Sequence, residues 1–107
     1  MGPGGGMNEL VRQAARLRRK MDQVREELKD KELSAASAGG KITVTVSCDG
    51  KLRSIAVDEA FLVAEGLELA LEGVVAAANA ALSAAEAHVE GELSKVTGGI
   101  SISGITG

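Results

Sequence analysis

The apolar residues of this chain fall into three successive rhythms. In the first, Met7, Leu10, Ala14, Leu17, Met21, Val24 and Leu28 are spaced by alternating threes and fours. This is a heptad a/d seam over three heptads, and it predicts a helix over 7–33 with Asn8 as its cap. The stretch "SAASAGG", residues 34–40, is small and flexible and ends that helix. The second rhythm has period two. "KITVTVSC" and "KLRSIAV" flank Asp49-Gly50, which predicts a hairpin closed by a two-residue turn. That register sets Ile42 opposite Val57, Val44 opposite Ile55 and Val46 opposite Arg53. One face is then apolar. The other carries Thr43, Thr45, Ser47, Ser54 and Ala56. An isolated hairpin is marginal in water, so this one needs a helix on its apolar face and more strands at its edge. "VDEAFLVAEG" turns the chain through a short helical turn capped by Asp58. The third rhythm is helical again over 67–97, with the stripe Leu71, Val75, Ala78, Leu82, Ala85, Val89, Leu93 and Val96. Its many alanines favour helix and close approach of a neighbour; Gly73 and Gly91 weaken it locally.

The pattern predicts an α+β protein: a long N-terminal helix, an antiparallel β-hairpin sheet shared across a dimer, and a long C-terminal helix. Residues 1–6, "MGPGGG", are expected to be a flexible leader and 7–97 a single domain. Residues 98–107 form a tail, in which Ile100, Ile102 and Ile105 leave two readings open, a short added strand or a mobile end. The leader is glycine-rich, but no Gly-Lys-Ser/Thr follows it, so it is not read as a phosphate loop.

Composition sharpens this picture. Of 107 residues, Phe61 is the one aromatic and much of the apolar content is alanine. A single domain of this kind has a thin private core, and a shared core with a second copy would help it. Ile42, Val44, Val46, Ile55 and Val57 are the candidate core and dimer residues. Cys48 is the sole cysteine, which suits a reducing compartment. No run is read as approaching the ~20 apolar residues of a membrane span, and no secretion signal is recognised. The expectation is a soluble cytoplasmic protein with no membrane partner.

Charge changes the picture most. The chain is net acidic at −3, yet from Glu9 to Met21 it carries Arg12, Arg16, Arg18, Arg19 and Lys20 against a single acid. From Asp22 to Leu33 the balance reverses, and from Asp58 onward eight acids face Lys95 alone. With Met7, Ala14 and Met21 at a positions, Arg12 and Arg19 fall at f and Arg16 at c, an outward ridge away from the seam. Arg18 and Lys20 flank the seam. Two readings compete. A charge run on a helix is usually a solvated face, here with Arg18–Asp22 and Glu27–Lys31 as ordinary i,i+4 pairs. Alternatively, basic side chains on a projecting helix neutralise phosphates without reading bases. The seam has its own ordinary reading, simple packing onto the sheet or the last helix.

Other candidates carry little chemistry. His88 is the one histidine and is expected to be a surface or interface residue. Cys48 lacks the basic surroundings of a nucleophile. Asp58 and Glu59 are adjacent, but adjacency does not build an acid–base pair. No catalytic residue, metal site, cofactor or small-molecule substrate is expected.

Taken in order, "MNELVRQAARLRRKMDQVREEL", "KITVTVSCDGKLRSIAVDEAFL" and "LELALEGVVAAANAALSAAEAHVEGELSKVTGG" resemble the YbaB/EbfC family of small bacterial nucleoid-associated proteins. The hairpin running into Val57-Asp58 and the Leu71–Val75 helix entry reaching Asn79-Ala80 carry most of the likeness. The resemblance implies a homodimer whose strands join centrally and whose long helices project like tweezer arms. It implies non-enzymatic binding of double-stranded DNA with little sequence preference, and a role in nucleoid organisation and gene expression. It tips the arginine ridge towards function. The last helix departs from a DNA-binding arm, because Glu86, Glu90 and Glu92 make it acidic. Phosphate contacts are therefore assigned to Arg12, Arg16 and Arg19, with Arg18 and Lys20 assisting. The rival reading is a protein–protein module whose heptad helix docks a partner helix.

Overall fold

The computed structural model describes residues 4–98, with side chains from Met7 onward. Helix α1 spans Gly4–Leu28, strand β1 Glu32–Ser37, β2 Ile42–Ser47 and β3 Leu52–Val57; helices α2 and α3 span Glu59–Glu65 and Leu67–Val96. The strands form one antiparallel sheet in the order β1-β2-β3. This is the expected α+β arrangement with long first and last helices. The molecule is elongated, 77 × 27 × 18 Å.

Two boundaries differ from expectation. Gly4–Gly6, placed by sequence in the flexible leader, already belong to α1. At its other end α1 stops at Leu28 rather than 33, and "ELSAAS" is strand β1, where a flexible linker was expected. Alanine and serine have little strand preference of their own. Tertiary context imposes the strand: β2 needs a partner at its outer edge, and Leu33, Ala35 and Ser37 alternate as the half-buried positions. On the opposite face the Ser34 and Thr45 hydroxyls are hydrogen-bonded at 2.7 Å. Ser37 Oγ donates to the Gly73 carbonyl at 2.7 Å and ties the end of β1 to α3. Ala38, Gly39 and Gly40 all have positive φ and make the tight link to β2.

The hairpin exists, with two corrections. Ser47 N donates to Lys51 O at 2.8 Å and Gly50 N to Ser47 O at 2.9 Å, so the loop is Cys48-Asp49-Gly50, three residues rather than two. Gly50 has φ 83°, the left-handed residue that such a loop requires. Ile42–Val57 and Val44–Ile55 pair as expected, but a bulge then places Leu52, not Arg53, opposite Val46. The reason is chemical. Without the extra residue a guanidinium would sit on the apolar face; with it, Arg53 reaches Asp30 at 3.1 Å.

Helix α3 supplies the cover. Ile42, Val44 and Val46 are fully buried beneath Ala77, Ala81 and Ala85. The expected stripe of α3 is therefore rotated at its start: Ala70 and Ala77 face inward, while Leu71 and Val75 are exposed. Close approach explains the rotation, since a methyl group at Gly73 would overlap Ile42 Cδ1. Small residues must line the contact for the helix to lie this near the sheet. Helix α2 begins as expected, with Asp58 Oδ1 accepting from Phe61 N at 2.8 Å.

The expectation of no membrane-length apolar segment needs correcting. Helix α3 contains an 18-residue stretch of mean hydropathy 1.4, long and apolar enough by composition to cross a membrane. Much of that hydropathy is alanine, including the inward-facing Ala77, Ala81 and Ala85. Ile100, Ile102 and Ile105 lie outside the described residues.

Candidate nucleic-acid interface

Helix α1 enters the sheet through a turn in which Lys31 N donates to Leu28 O at 2.9 Å and Cys48 N to Lys31 O at 2.9 Å. Helix α3 starts beside the opposite end of the sheet, where Gly73 meets Ser37 and Ile42, and packs against α1 further along its length. The two helices are thus antiparallel and in contact. The lower seam of α1, Leu17, Met21, Val24 and Leu28, is half-buried there, together with Leu93 near the end of α3. Above Leu17 the seam positions are exposed. Met7, Leu10 and Val11 are each more than 60 % exposed, so the first half of α1 projects as an arm.

The ordinary reading of the seam therefore holds for its lower half, which packs on α3. The charges divide at the same level. In the lower half, Asp22 pairs with Arg25 at 4.0 Å and Glu26 with Lys29 at 2.6 Å, which raises the Lys29 pKa above its ordinary value. Glu27 accepts from Gln23, not Lys31. The expected i,i+4 pairs are replaced by i,i+3 pairs, and Arg18 is left out of them. Among the described residues, Arg12, Arg16, Arg18, Arg19 and Lys20 are exposed and make no ion pair within 4.0 Å. Arg12, Arg16 and Arg19 form one outward row of about 10 Å, at ~1.5 Å rise per residue. Five unneutralised cations on a projecting helix form a strip of positive potential on a chain of net charge −3.

The other candidates fall elsewhere. Ile42, Val44 and Val46 are core residues of the single protomer; Val57 is half-buried and Ile55 is 50 % exposed. Cys48 is half-buried at the loop, and burial pushes its thiol pKa up, away from nucleophilic character. His88 is half-buried on α3. Asp49 accepts from Ser47 Oγ, and that bond holds its carboxyl below the usual range. Among the described residues, no three His, Cys, Asp or Glu side chains gather as a metal-binding group. Sequence reasoning missed the exposure of Leu52, Leu71 and Val75, because it did not anticipate the bulge or the rotation of α3.

Comparison with known proteins places these features. The family model described as the YbaB/EbfC DNA-binding family matches residues 3–100. A protein named nucleoid-associated protein from Acetivibrio thermocellus is 37 % identical over 92 % of this chain and 88 % of its own length. One of the same name from Clostridium kluyveri is 36 % identical over 97 % of this chain and 91 % of its own length. Among solved structures, the uncharacterized protein HP0035 from Helicobacter pylori shares the fold, with TM-score 0.65 and 21 % identity over 78 % of this chain and 88 % of that one. Pattern, fold and family model agree over nearly the whole chain, and the protein belongs to the YbaB/EbfC DNA-binding family.

Proposed function

We propose that this chain is a non-enzymatic, homodimeric protein of the bacterial nucleoid, working in the cytoplasm. In this reading it binds duplex DNA through the arm of α1 with little sequence preference, and so affects nucleoid organisation and gene expression. The observation that carries the reading is the row of free cations. Arg12, Arg16 and Arg19, with Arg18 and Lys20 beside them, are exposed and unpaired while the bases lower on α1 are neutralised by neighbours. Phosphate contacts of this kind position a protein without reading bases. The described residues include one aromatic, Phe61, on α2 rather than on the arm, so stacking on bases is not part of the reading.

The sheet supports the dimer. Helix α3 lies across β1 and β2, and β3 keeps its share of the same apolar face uncovered: Leu52 is 55 % and Ile55 50 % exposed. Leu67, Leu71 and Val75 form an exposed stripe on α3 at spacing four. Strand β3 is also an edge with unpaired backbone groups, a hazard unless something covers it. A second copy, added edge to edge, would cover both.

The test is a gel shift against unrelated duplexes over a range of salt. Each phosphate neutralised contributes roughly −0.9 to the slope of log affinity against log salt. The triple variant Arg12→Gln, Arg16→Gln, Arg19→Gln is expected to bind every duplex more weakly and with a flatter slope. Its helix content should be nearly unchanged, because glutamine is almost as good a helix former as arginine. A triple variant with wild-type affinity and slope would remove these residues from the interface. No shift at any salt would favour the protein–protein module instead.

A further inference from the structure

Helix α3 covers the α1 seam only part of the way. The two helices leave the sheet at the same end, α1 at Leu28 and α3 past Ala85, its last residue in the sheet core. From there they run antiparallel. The half-buried seam from Leu28 up to Leu17 is about 16 Å long, and so is α3 from Ala85 to its end at Val96, at ~1.5 Å per residue. Helix α3 therefore ends beside Leu17. Above that level Met7, Leu10 and Ala14 continue the seam and are exposed, with Val11 beside them. The uncovered stripe begins where the covering helix stops, and the chain goes on from that point as "GGISISGITG".

We propose that the segment after α3 runs on along the arm of its own chain and docks Ile100, Ile102 and Ile105 on the stripe of Ala14, Leu10 and Met7. Position and reach select this occupant. Extended chain advances ~3.3 Å per residue, so residues 98–105 span roughly 26 Å. The stripe from Leu17 to Met7 needs about 15 Å. The surplus is taken up at Gly98, whose φ of 67° turns the chain off the helix axis. Pattern agrees with reach. Ile100 and Ile102 alternate with Ser101 and Ser103, so extended chain sets both isoleucines on one side and both serines on the other. Gly104 gives the freedom to bring Ile105 back to the apolar side.

The contact is small, far below the roughly 1,200 Å² that two separate molecules need for a stable interface. A segment tethered beside its target meets a local concentration on the order of millimolar, so a few apolar contacts suffice. The segment carries no charged residue. The seam occupies a and d positions, and Arg12, Arg16 and Arg19 lie at f and c on the far side. The strap thus backs the arm without neutralising its cations. It does not depend on the sheet-mediated dimer or on DNA.

The test uses the full chain with Cys48→Ser and one new thiol, Leu10→Cys, compared with Asn8→Cys on the same turn but off the seam. Both are exposed positions, so folding should be unaffected; circular dichroism checks this. Maleimide should label position 10 several-fold more slowly than position 8, at a ratio independent of protein concentration. Changing Ile100, Ile102 and Ile105 to serine should remove the difference. In a second measurement, Ile102→Cys is paired with Leu10→Cys, with Asn8→Cys, or with Ile55→Cys at the free edge of the sheet. Copper-phenanthroline should close an intrachain disulfide fastest with position 10. Equal labelling at positions 8 and 10, or protection that persists in the serine variant, would overturn the proposal. Faster closure with position 55 would also overturn it, since the segment would then lie on β3, as would a product formed chiefly between chains.

Discussion

Replacing Gly73 by alanine ought to stabilise an ordinary helix, and here it should do the opposite. A glycine within a helix costs roughly 0.5–1 kcal/mol relative to alanine, so the substitution starts with that gain. A β-carbon at 73 would overlap Ile42 Cδ1 and stand 3.2 Å from Ser37 Oγ, the hydroxyl that donates to the Gly73 carbonyl. Ile42 is fully buried, so its Cδ1 can swing aside only within the packed core. Overpacking of one methyl in such a place costs about 1–3 kcal/mol, and losing the Ser37 bond adds about 1 kcal/mol. The net expectation is destabilisation of roughly 1–3 kcal/mol. Gly91, on the same helix, meets nothing within 4 Å, so Gly91→Ala should stabilise by roughly 0.5–1 kcal/mol. Urea unfolding followed at 222 nm, at fixed protein concentration because association shifts the midpoint, compares the two directly. Ile42→Val completes a cycle. It removes the methyl that alanine would strike, so the double variant should lose less than the sum of the single losses. If Gly73→Ala stabilises as much as Gly91→Ala, α3 does not lie this close to the sheet, and the account of the alanine-lined core fails.

Further expectations follow from other parts of the fold. Ile55→Asp should convert the proposed dimer to monomer in sedimentation while leaving the Ile42–Val44–Val46 core intact; an unchanged mass would show that β3 is not the joining edge. Asp58→Ala removes the acceptor for Phe61 N and should cost about 0.5–2 kcal/mol in urea titrations. Cys48→Ser should leave DNA affinity unaltered. In the wild type, alkylation of Cys48 should rise with pH later than for a free thiol, because burial lifts its pKa. Asp30→Ala, which breaks an exposed ion pair with Arg53, should change stability by less than about 1 kcal/mol.

How much of this was legible in the residues differs from element to element. The helices were legible where period and propensity agree, as in α1 through Leu28 and in α3. The hairpin was legible because Asp49-Gly50 sits between two alternating runs. Strand β1 was not, since "ELSAAS" has neither strand propensity nor a strong apolar alternation. Its structure comes from the free edge of β2 and from Ser34 meeting Thr45, both of them long-range facts. The bulge was hidden for a similar reason. The turn suggests one register, and only the cost of placing Arg53 on an apolar face argues for shifting it by a residue. The inward face of α3 was misjudged because size was read as burial. Where helix and sheet must approach closely, alanine goes inside and the larger Leu71 and Val75 stay out.

The same distinction bears on why the positive charge is gathered at one end of one helix. Arginine and lysine along α1 are not equivalent, although sequence alone gives them similar spacing. Arg25 and Lys29 have acids three residues before them and are neutralised within their own helix. From Arg12 to Lys20 the nearest acid along the chain is Glu9, which is engaged with Gln13, or Asp22, which is engaged with Arg25. The cations of the arm therefore keep no ion-pair partner within the chain, as the proposed contact with an external anion requires. Exposed acids on α3, Glu86 and Glu90 among them, repel that anion from the rest of the molecule. In the proposed reading, a polyanion approaching such a charge distribution would be steered to the arm before any contact forms. An evenly mixed surface with the same net charge of −3 would lack that steering.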